Sequence, residues 1–299
     1  MQRRTLALLA LFVVNLIYGV NYVIAKGLMP DVIGPSGFIL LRVLGALVLF
    51  WSVRVFRPER VRMEDAVRLL LCAVFGVALN QLMFFHGLMR TSPVHASIIM
   101  VATPILVLVT SGVLLGERIG PGKMLGVGLG AAGALLLIFF RNGDDAGSTM
   151  LGDLFILINA SSYGVYLVLV KPLMARYSAI TVMAWCFLLG TLMVLPFGMN
   201  ELLAVDWRML TREQVSAIAF VVVGVTFVAY LLNTWALGEM NPSVVGSFIY
   251  LQPVLATFFS WWAGTSGAAG PSPWIAAAMI ATGVHLVNRA DRQLSLIHI

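Results

Sequence analysis

Charged residues are scarce in this chain of 299 residues, because Asp, Glu, Lys and Arg make up only 11% of it while hydrophobic residues make up 60%. A soluble globular protein carries about 25% charged residues and roughly 45–50% apolar ones. The surface of an ordinary soluble fold therefore needs more charge than this sequence contains. The mean hydropathy of +0.97 agrees, and the composition predicts an integral membrane protein.

Cysteines and catalytic motifs are also nearly absent. Cys72 and Cys186 are the only cysteines, and two cysteines cannot build a disulfide framework or a four-ligand zinc site. The sequence contains no HExxH, P-loop or GxSxG motif. The GxGxxG pattern at 128–133 has no strand before it, so it is interpreted as a small-residue packing surface. We expect no enzyme activity, no cofactor and no bound metal.

Long uncharged stretches divide the chain into ten predicted membrane spans. A bilayer core about 30 Å thick requires roughly 20 apolar residues of helix, and the uncharged run 240–288 is long enough for two spans. Helices are favoured over a barrel because no alternation of polarity is visible. The predicted fold is an all-α integral membrane protein with spans at about 5–25, 35–53, 68–88, 94–115, 121–140, 151–171, 178–197, 213–236, 243–263 and 272–288.

The basic residues favour one orientation of these spans, because short cytoplasmic loops are enriched in Lys and Arg. With the N-terminus in the cytoplasm, thirteen basic residues lie on the cytoplasmic side and five on the outer side, the latter being Lys26, Arg90, Arg141, Arg208 and Arg212. Both termini are then cytoplasmic, in a multi-pass protein of the inner or plasma membrane. Although the net charge is +6, the basic residues do not form the stripe that nucleic acid would require.

An internal repeat divides the spans into two sets of five. Residues 18–29 (YGVNYVIAKGLM) match residues 163–174 (YGVYLVLVKPLM) at seven of twelve positions with an offset of 145. The offset then slips to 148–150, and the match continues with Gly76 and Gly224 and ends with Gly133 and Gly283. Because five is odd, the second copy (146–288) must cross the membrane in the opposite sense to the first (1–145), which leaves 289–299 as a cytoplasmic tail. Inverted repeats are typical of secondary transporters. A duplicated bundle that merely packs well is the alternative.

Short motifs in both copies carry a resemblance to a known family: Gly87-Leu88, Thr103-Pro104 and Leu114-Leu115-Gly116-Glu117-Arg118 in the first, and Ala236-Leu237, Asn241-Pro242, Gln252-Pro253 and Gly283 in the second. On these motifs, residues 5–288 resemble the EamA-type ten-helix exporters of the drug/metabolite transporter superfamily. The resemblance implies export of amino acids, other metabolites or drugs, and the chain is similar to the subgroup that exports aromatic and other amino acids. It departs from the pattern at Gly264-Thr265, where Gly-Glu is common.

Uncharged polar side chains share faces of several spans. Rows of amides and phenols do not suit a lipid-facing surface, so these faces are expected to point inward. Hydrogen bonding between helices is the alternative for each residue singly. As a set they predict a polar cavity, with the candidate substrate contacts Asn15, Tyr18, Asn80, Tyr163, Tyr166, Tyr230, Asn233, Tyr250 and Gln252.

Titratable residues within the spans are few, and no acidic residue lies centrally in any of them. Coupling through a buried carboxylate is therefore disfavoured. His86, His95 and Arg42 are candidate proton or anion sites; the alternatives are interfacial histidines with a hydrogen-bond partner and an arginine that extends to the surface. Pro104 and Pro253 occupy matched positions, where they act as hinges or as static kinks.

These observations predict a secondary transporter, a monomer or homodimer in the lipid bilayer, that exports small metabolites by alternating access. Amino acids are the favoured substrates, and facilitated diffusion or exchange is the favoured mode. Efflux of cationic drugs is an alternative that would favour a carboxylate in the cavity. A membrane-embedded lipid-modifying enzyme is an alternative of another class, but the sequence has no catalytic constellation for it.

The topology can be tested by labelling single cysteines introduced into a variant that lacks Cys72 and Cys186. A cysteine in the 55–66 loop is expected to react only with reagents that reach the cytoplasm. One in the 142–149 loop is expected to react from outside, because an odd number of spans separates the two copies. Labelling of both loops from the same side would contradict the inverted repeat.

Overall fold

The computed structural model describes residues 2–26, 28–29, 32–90, 96, 99–139, 149–252, 254–255, 258 and 272–296. His95, Pro253, Gly264-Thr265 and the loop 142–148 lie outside these residues. Ten helical segments and no strand occur in the described part. They are α1 (Gln2–Lys26), α2 (Pro35–Val55), α3 (Met63–Leu88), α4 (Ala102–Leu115), α5 (Pro121–Phe139), α6 (Met150–Met174), α7 (Ala179–Leu203), α8 (Arg212–Glu239), α9 (Pro242–Ser247) and α10 (Ser272–Leu296).

The membrane character of the fold follows from the length and composition of these helices. Among the described residues, six helices are long and apolar enough to cross a bilayer, namely α1, α2, α3, α6, α7 and α8, and α4 is a shorter apolar helix. The all-α membrane fold predicted from the sequence is therefore confirmed. The helix α4 begins at Ala102, later than the predicted span at 94–115. A turn at Val101, three residues before Pro104, separates it from helical residues at 99–100.

Local sequence signals set several helix ends. The side chains of Thr149, Ser178 and Thr211 accept hydrogen bonds from backbone amides in the first turns of α6, α7 and α8, which satisfies donors that a helix leaves unpaired. The helix α2 begins with Pro35, whose fixed φ suits a first turn. The helix α4 ends at Gly116, whose φ of +64° favours glycine.

The two halves have opposite senses, as contacts between helix ends demonstrate. Arg4, near the start of α1, donates to Asn288 and Asp291 of α10, whereas Lys171, near the end of α6, donates to the carbonyl of Leu237 at the end of α8. We call the end that includes Arg4 the terminal end. Arg3 also pairs with Glu239, the last residue of α8, at 3.6 Å. The start of α1 and the end of α6 therefore both lie at the end where α8 stops, so α1 and its counterpart α6 run in opposite senses.

A buried ion cluster joins four parts of the chain at the terminal end. Lys123 Nζ lies 2.6 Å from Glu117 Oε1 and 2.9 Å from Asp291 Oδ1, and the lysine side chain is only 1% exposed. Asn241 donates to Asp291, and the Ser243 hydroxyl donates to Glu117. Together with Arg4 these five residues form the ion cluster, which connects α1, the α4–α5 junction, α9 and α10.

Glycine allows α5 and α10 to cross closely. A Cβ on Gly126 would lie 2.7 Å from the carbonyl oxygen of Gly283, and one on Gly283 would lie 2.6 Å from that of Gly126. In the GxGxxG segment, Gly130 packs on Tyr250 and Gly133 packs on α10, whereas Gly128 has no atom within 4 Å of its Cβ position. Two of the three glycines therefore serve the packing role that the sequence predicts.

Gly126→Ala is expected to destabilise the protein, since the backbone of α10 cannot yield to a Cβ at 2.7 Å. Gly128→Ala is the matched control in the same helix, and should be neutral or slightly stabilising because alanine is the better helix former by about 1 kcal/mol. Thermal unfolding of detergent-purified variants checks both. Equal melting temperatures for the two variants would contradict the close crossing.

Lys123→Met is expected to lower stability, because it leaves Glu117 and Asp291 buried without their common cation; breaking a buried pair in this way typically costs about 3–5 kcal/mol. The control is Arg3→Met at the same end, since Arg3 pairs with Glu239 at 3.6 Å while 84% exposed and exposed pairs contribute little. The measurement is again the melting temperature in detergent. A loss no larger than that of the control would mean that the ion cluster does not hold this end together.

Candidate functional site

A cavity of about 120 Å³ lies between the two halves. A buried water needs roughly 10–15 Å³, so the cavity has room for a ligand of several heavy atoms. The described part of its wall combines amides, phenols, apolar side chains and one guanidinium, and it includes no acidic residue. They are Tyr18, Asn21, Arg42, Asn80, Gln81, Phe84, Phe85 and Met100 from the first half and Asn159, Tyr163, Val225, Tyr230, Ile249 and Gln252 from the second.

The cavity lies between the middle of the helices and the end opposite the terminal end. In α1, which starts at the terminal end, it is lined by Tyr18 and Asn21, and in α3 it is lined by residues 80–85 of a helix that ends at Leu88. Five of the nine predicted contacts, Tyr18, Asn80, Tyr163, Tyr230 and Gln252, therefore meet around one space, together with Arg42.

Two asparagines lock α3 against α6 beside the cavity. Asn159 Nδ2 donates to the carbonyl of Asn80 over 2.8 Å, and Asn80 Nδ2 lies 3.4 Å from the carbonyl of Asn159. The arrangement leaves Asn159 Oδ1 buried without a donor among the described residues, and the same holds for Asn21 Oδ1 and Gln81 Oε1. This part of the wall is rich in hydrogen-bond acceptors.

The third helix of each half contains a π-helical segment, Val74–Ala78 in α3 and Phe220–Val228 in α8. Gly76 and Gly224, which the sequence repeat aligns, lie within these segments. Such widened turns leave carbonyls unpaired and occur often at functional sites. Two carbonyls of the segment in α3 have side-chain partners from the other half. The Ser162 hydroxyl donates to the carbonyl of Phe75 over 2.6 Å, and Tyr230 OH lies 3.4 Å from the carbonyl of Gly76.

Arg42 is fixed by contacts on several sides. The side chain is only 5% exposed, and its Nε donates to Thr226 Oγ1 over 3.0 Å, while Thr226 in turn donates to the carbonyl of Val221 in the π-helical segment of α8. The guanidinium carbon lies 5.7 Å from the centre of the Phe38 ring and 5.2 Å from that of Phe85. Arg42 thus faces the cavity instead of extending to the surface.

The proline positions also relate to the cavity. A proline in a helix frees the carbonyl four residues earlier, which corresponds to Met100 for Pro104 and to Ile249 for Pro253. Both of these residues line the cavity. The chain has a turn at Val101, and a 3₁₀ segment at Phe248–Tyr250 follows α9. These two irregular segments therefore adjoin a protein-lined cavity, where a bilayer tolerates them.

Four predicted contacts lie outside the cavity lining. Asn15 donates to the carbonyl of Leu11, the Tyr166 hydroxyl lies 3.0 Å from Thr234 Oγ1, and Asn233 Nδ2 donates to the Tyr163 hydroxyl over 2.9 Å. Asn15, Tyr166 and Asn233 lie about one turn nearer the terminal end than Tyr18, Tyr163 and Tyr230. They share the predicted faces but occupy packed protein below the cavity.

Tyr250 lies apart from these three. It packs on Gly130 in a small core with Val101, Ala131 and Ile280. Its hydroxyl is buried and has no partner among the described residues. The ring therefore fills space between α9 and α5 and does not reach the cavity.

His86 lies at the opposite end and outside the cavity lining. Its Nε2 is 2.9 Å from Ser36 Oγ, and Arg90 donates to its carbonyl over 2.9 Å. Glu201 accepts from the backbone amide of Gly37 nearby. These contacts match the alternative of an interfacial histidine with a hydrogen-bond partner.

Several lining residues are absent from the predicted contacts. Asn21 follows Tyr18 by three residues, so helical spacing could have identified it. Gln81 and Asn159 share the predicted inward faces, although they were not among the predicted contacts. Phe84 and Phe85 carry no polar signal that separates them from lipid-facing residues, and only the tertiary structure places them here.

The overall architecture occurs in a solved structure. A crystal structure of a protein superimposes with a TM-score of 0.75 over 96% of this chain and 98% of that chain, at 21% sequence identity. At this identity the likeness concerns the fold alone.

Sequence relatives are named as transporters. An uncharacterized transporter of Archaeoglobus fulgidus is 26% identical over 232 residues, 76% of either chain. YoaV of Bacillus subtilis, also an uncharacterized transporter, is 27% identical over 85% of this chain and 87% of its own. A "probable terminal-alkyne amino-acid exporter" of Streptantibioticus cattleyicolor is 26% identical over 87% and 86%.

The EamA-like transporter family matches the chain twice, at residues 5–139 and again at 150–289. The two matches coincide with the two halves that contribute to the cavity, and together they cover most of the sequence. With its helical membrane fold and its relatives, this assigns the chain to a family of multi-pass membrane transporters: it belongs to the EamA-like transporter family.

Proposed function

We propose that the chain exports small zwitterionic metabolites, with amino acids the favoured class, by alternating access. The observation that carries this proposal is the polar and aromatic cavity to which both inverted halves contribute. Transporters of inverted-repeat design bind substrate near mid-membrane at the repeat interface. Tyrosines and amides can bind both poles of an amino acid and stack against its side chain.

Alternating access requires a second arrangement in which the cavity communicates with the terminal end. Asn15, Tyr166 and Asn233 support such a path, since they continue the polar faces one turn further toward that end. In the described arrangement they are buried, and the ion cluster connects the helices beyond them. Opening would separate the charged residues of the ion cluster and expose the three polar side chains. Water could then solvate the charges as well as the polar groups.

The wall of the cavity supports facilitated diffusion or exchange over strict proton coupling. None of the described lining residues is a carboxylate or a histidine, and these are the usual proton carriers within membranes. The same residues disfavour efflux of cationic drugs, because the one formal charge among them, Arg42, is positive. No catalytic role is proposed, since the family and the named relatives are transporters.

The proposal includes an orientation, a location and a substrate preference. The terminal end is taken as cytoplasmic because the arginine-rich loop 55–66 follows α2 at that end. The protein then lies in the inner or plasma membrane as a monomer or homodimer, with both termini in the cytoplasm. The relative named as an amino-acid exporter supports the substrate class.

The test is counterflow in proteoliposomes. Vesicles that contain the purified protein are loaded with one unlabelled amino acid, and uptake of the labelled form is measured for a panel that includes phenylalanine and leucine. Uptake should occur without a pH gradient and should not change when a protonophore is added. Uptake that strictly requires a pH gradient, with this requirement abolished by His86→Ala, would contradict facilitated diffusion or exchange.

Tyr163 variants then test the site. Tyr163→Ala should reduce uptake several-fold at equal protein content, while Tyr163→Phe should retain more uptake of phenylalanine than of leucine because it preserves the ring. Tyr250→Phe is the matched control, since it removes a hydroxyl from a buried tyrosine outside the cavity lining. Parental rates for Tyr163→Ala with every substrate would mean that the substrate binds elsewhere.

A further inference from the structure

We infer that Arg42 binds the carboxylate of the substrate while the amide oxygens around the cavity receive its ammonium group, so that the transporter requires a free α-carboxylate and a free amine on the same molecule. The inference rests on the proposed function and narrows it from small zwitterionic metabolites to molecules with these two groups. It depends on the contacts of one buried guanidinium and on three amide oxygens.

The guanidinium has few partners for a buried cation. The only hydrogen bond that the described residues give it is from Nε to Thr226, and none of the ion pairs among them includes Arg42. The buried lysine of the ion cluster differs in this respect, because Lys123 contacts the carboxylates of both Glu117 and Asp291. Arg42 is therefore a charge whose complement is not supplied by the described part of the protein.

An uncompensated charge within a membrane is costly, and such residues generally mark substrate or ion pathways. The rings of Phe38 and Phe85 offset part of the cost through cation–π contacts, and they also hold the guanidinium in place. An arginine presents a planar fork that matches a carboxylate in a bidentate geometry. With Nε engaged by Thr226, the two terminal nitrogens are the donors that remain for a ligand.

Three lining residues carry acceptors that complement an ammonium group. Asn21 Oδ1, Gln81 Oε1 and Asn159 Oδ1 are buried in the described arrangement and have no donor among the described residues, and buried acceptors without donors are unfavourable. An ammonium has three donors and no acceptor. The amide groups of Gln81 and Asn159 are otherwise fixed, because their nitrogens face Tyr230 and the carbonyl of Asn80 respectively.

A zwitterion offers a carboxylate to Arg42 and an ammonium group to the amide oxygens, and it adds no net charge to the cavity. A cationic amine without a carboxylate would instead place a second positive charge beside Arg42. A carboxylate without an amine would neutralise Arg42 but leave the amide oxygens unpaired. Removal of a hydrogen-bonding group from a ligand is penalised strongly when the site's own polar groups are buried.

The first experiment uses the unmodified protein and three ligands of similar shape: phenylalanine, its amide and its deaminated analogue 3-phenylpropionate. Binding is measured as the shift in melting temperature of the detergent-purified protein, and transport by counterflow in proteoliposomes. Phenylalanine is expected to stabilise the protein and to be transported, and each analogue should be at least tenfold weaker in both assays.

The second experiment varies the arginine. Arg42→Gln should abolish the preference for phenylalanine over its amide, and Arg42→Lys should retain the charge but lose the fork, with an apparent KM for phenylalanine at least tenfold higher. Arg54→Gln is the matched control, because Arg54 of α2 also stacks on aromatic rings, those of Trp51 and Trp185, but lies outside the cavity lining. It should leave the preference unchanged.

The outcomes separate this inference from the proposed function. If the unmodified protein transports no amino acid, the proposed function fails. If it transports phenylalanine and its amide at equal rates, or Arg42→Gln keeps the preference between them, the role of Arg42 is overturned although amino-acid transport stands. Equal transport of 3-phenylpropionate would overturn the ammonium assignment. Should Arg42→Gln not fold, the three-ligand comparison on the unmodified protein decides alone.

Discussion

A polar group inside a bilayer must find a partner within the protein, and this constraint governs the structure at every level. It makes the described chain entirely helical, because only a helix satisfies its own backbone within one segment. It also explains why the side chains of Ser162 and Tyr230 cover carbonyls of the π-helical segment in α3, and why Lys123 is buried only together with Glu117 and Asp291. Among the described residues that line the cavity, the amide oxygens of Asn21, Gln81 and Asn159 are buried without a donor.

Departures from regular helix recur at matched positions in the two halves and converge on that wall. The π-helical segments contain Gly76 and Gly224, and the irregular turns near Val101 and at Phe248–Tyr250 precede Pro104 and Pro253. A regular helix presents no free backbone groups and bends little, whereas a widened or interrupted helix can present free backbone groups and can bend. The duplication therefore places the deformable parts of both halves around the cavity.

The sequence predicted the fold well because charge-free runs and a shifted self-match are direct consequences of membrane thickness and gene duplication. It predicted polar faces, but not where along a face the open space ends, so Asn15 and Tyr166 were grouped with Tyr18 and Tyr163. Depth depends on how the two halves close against each other, which is a property of packing. The aromatic neighbours of Arg42, Phe38 and Phe85, resemble any other apolar residue of a span until the tertiary structure brings α2 and α3 together.

The two halves share helix geometry but differ in their charged residues, and this difference affects which end of the protein is closed. The first half supplies Glu117 and Lys123 to the ion cluster, whereas the corresponding position in the second half is Gly264-Thr265, without a carboxylate. A symmetric pair of such clusters would stabilise both closed ends alike. Because the ion cluster lies at the terminal end, it favours closure there, and a cavity on the far side of the closure is then the lower-energy arrangement. In the proposed alternation, opening the terminal end would hydrate the separated charges, so that transition would cost less than burying either charge alone.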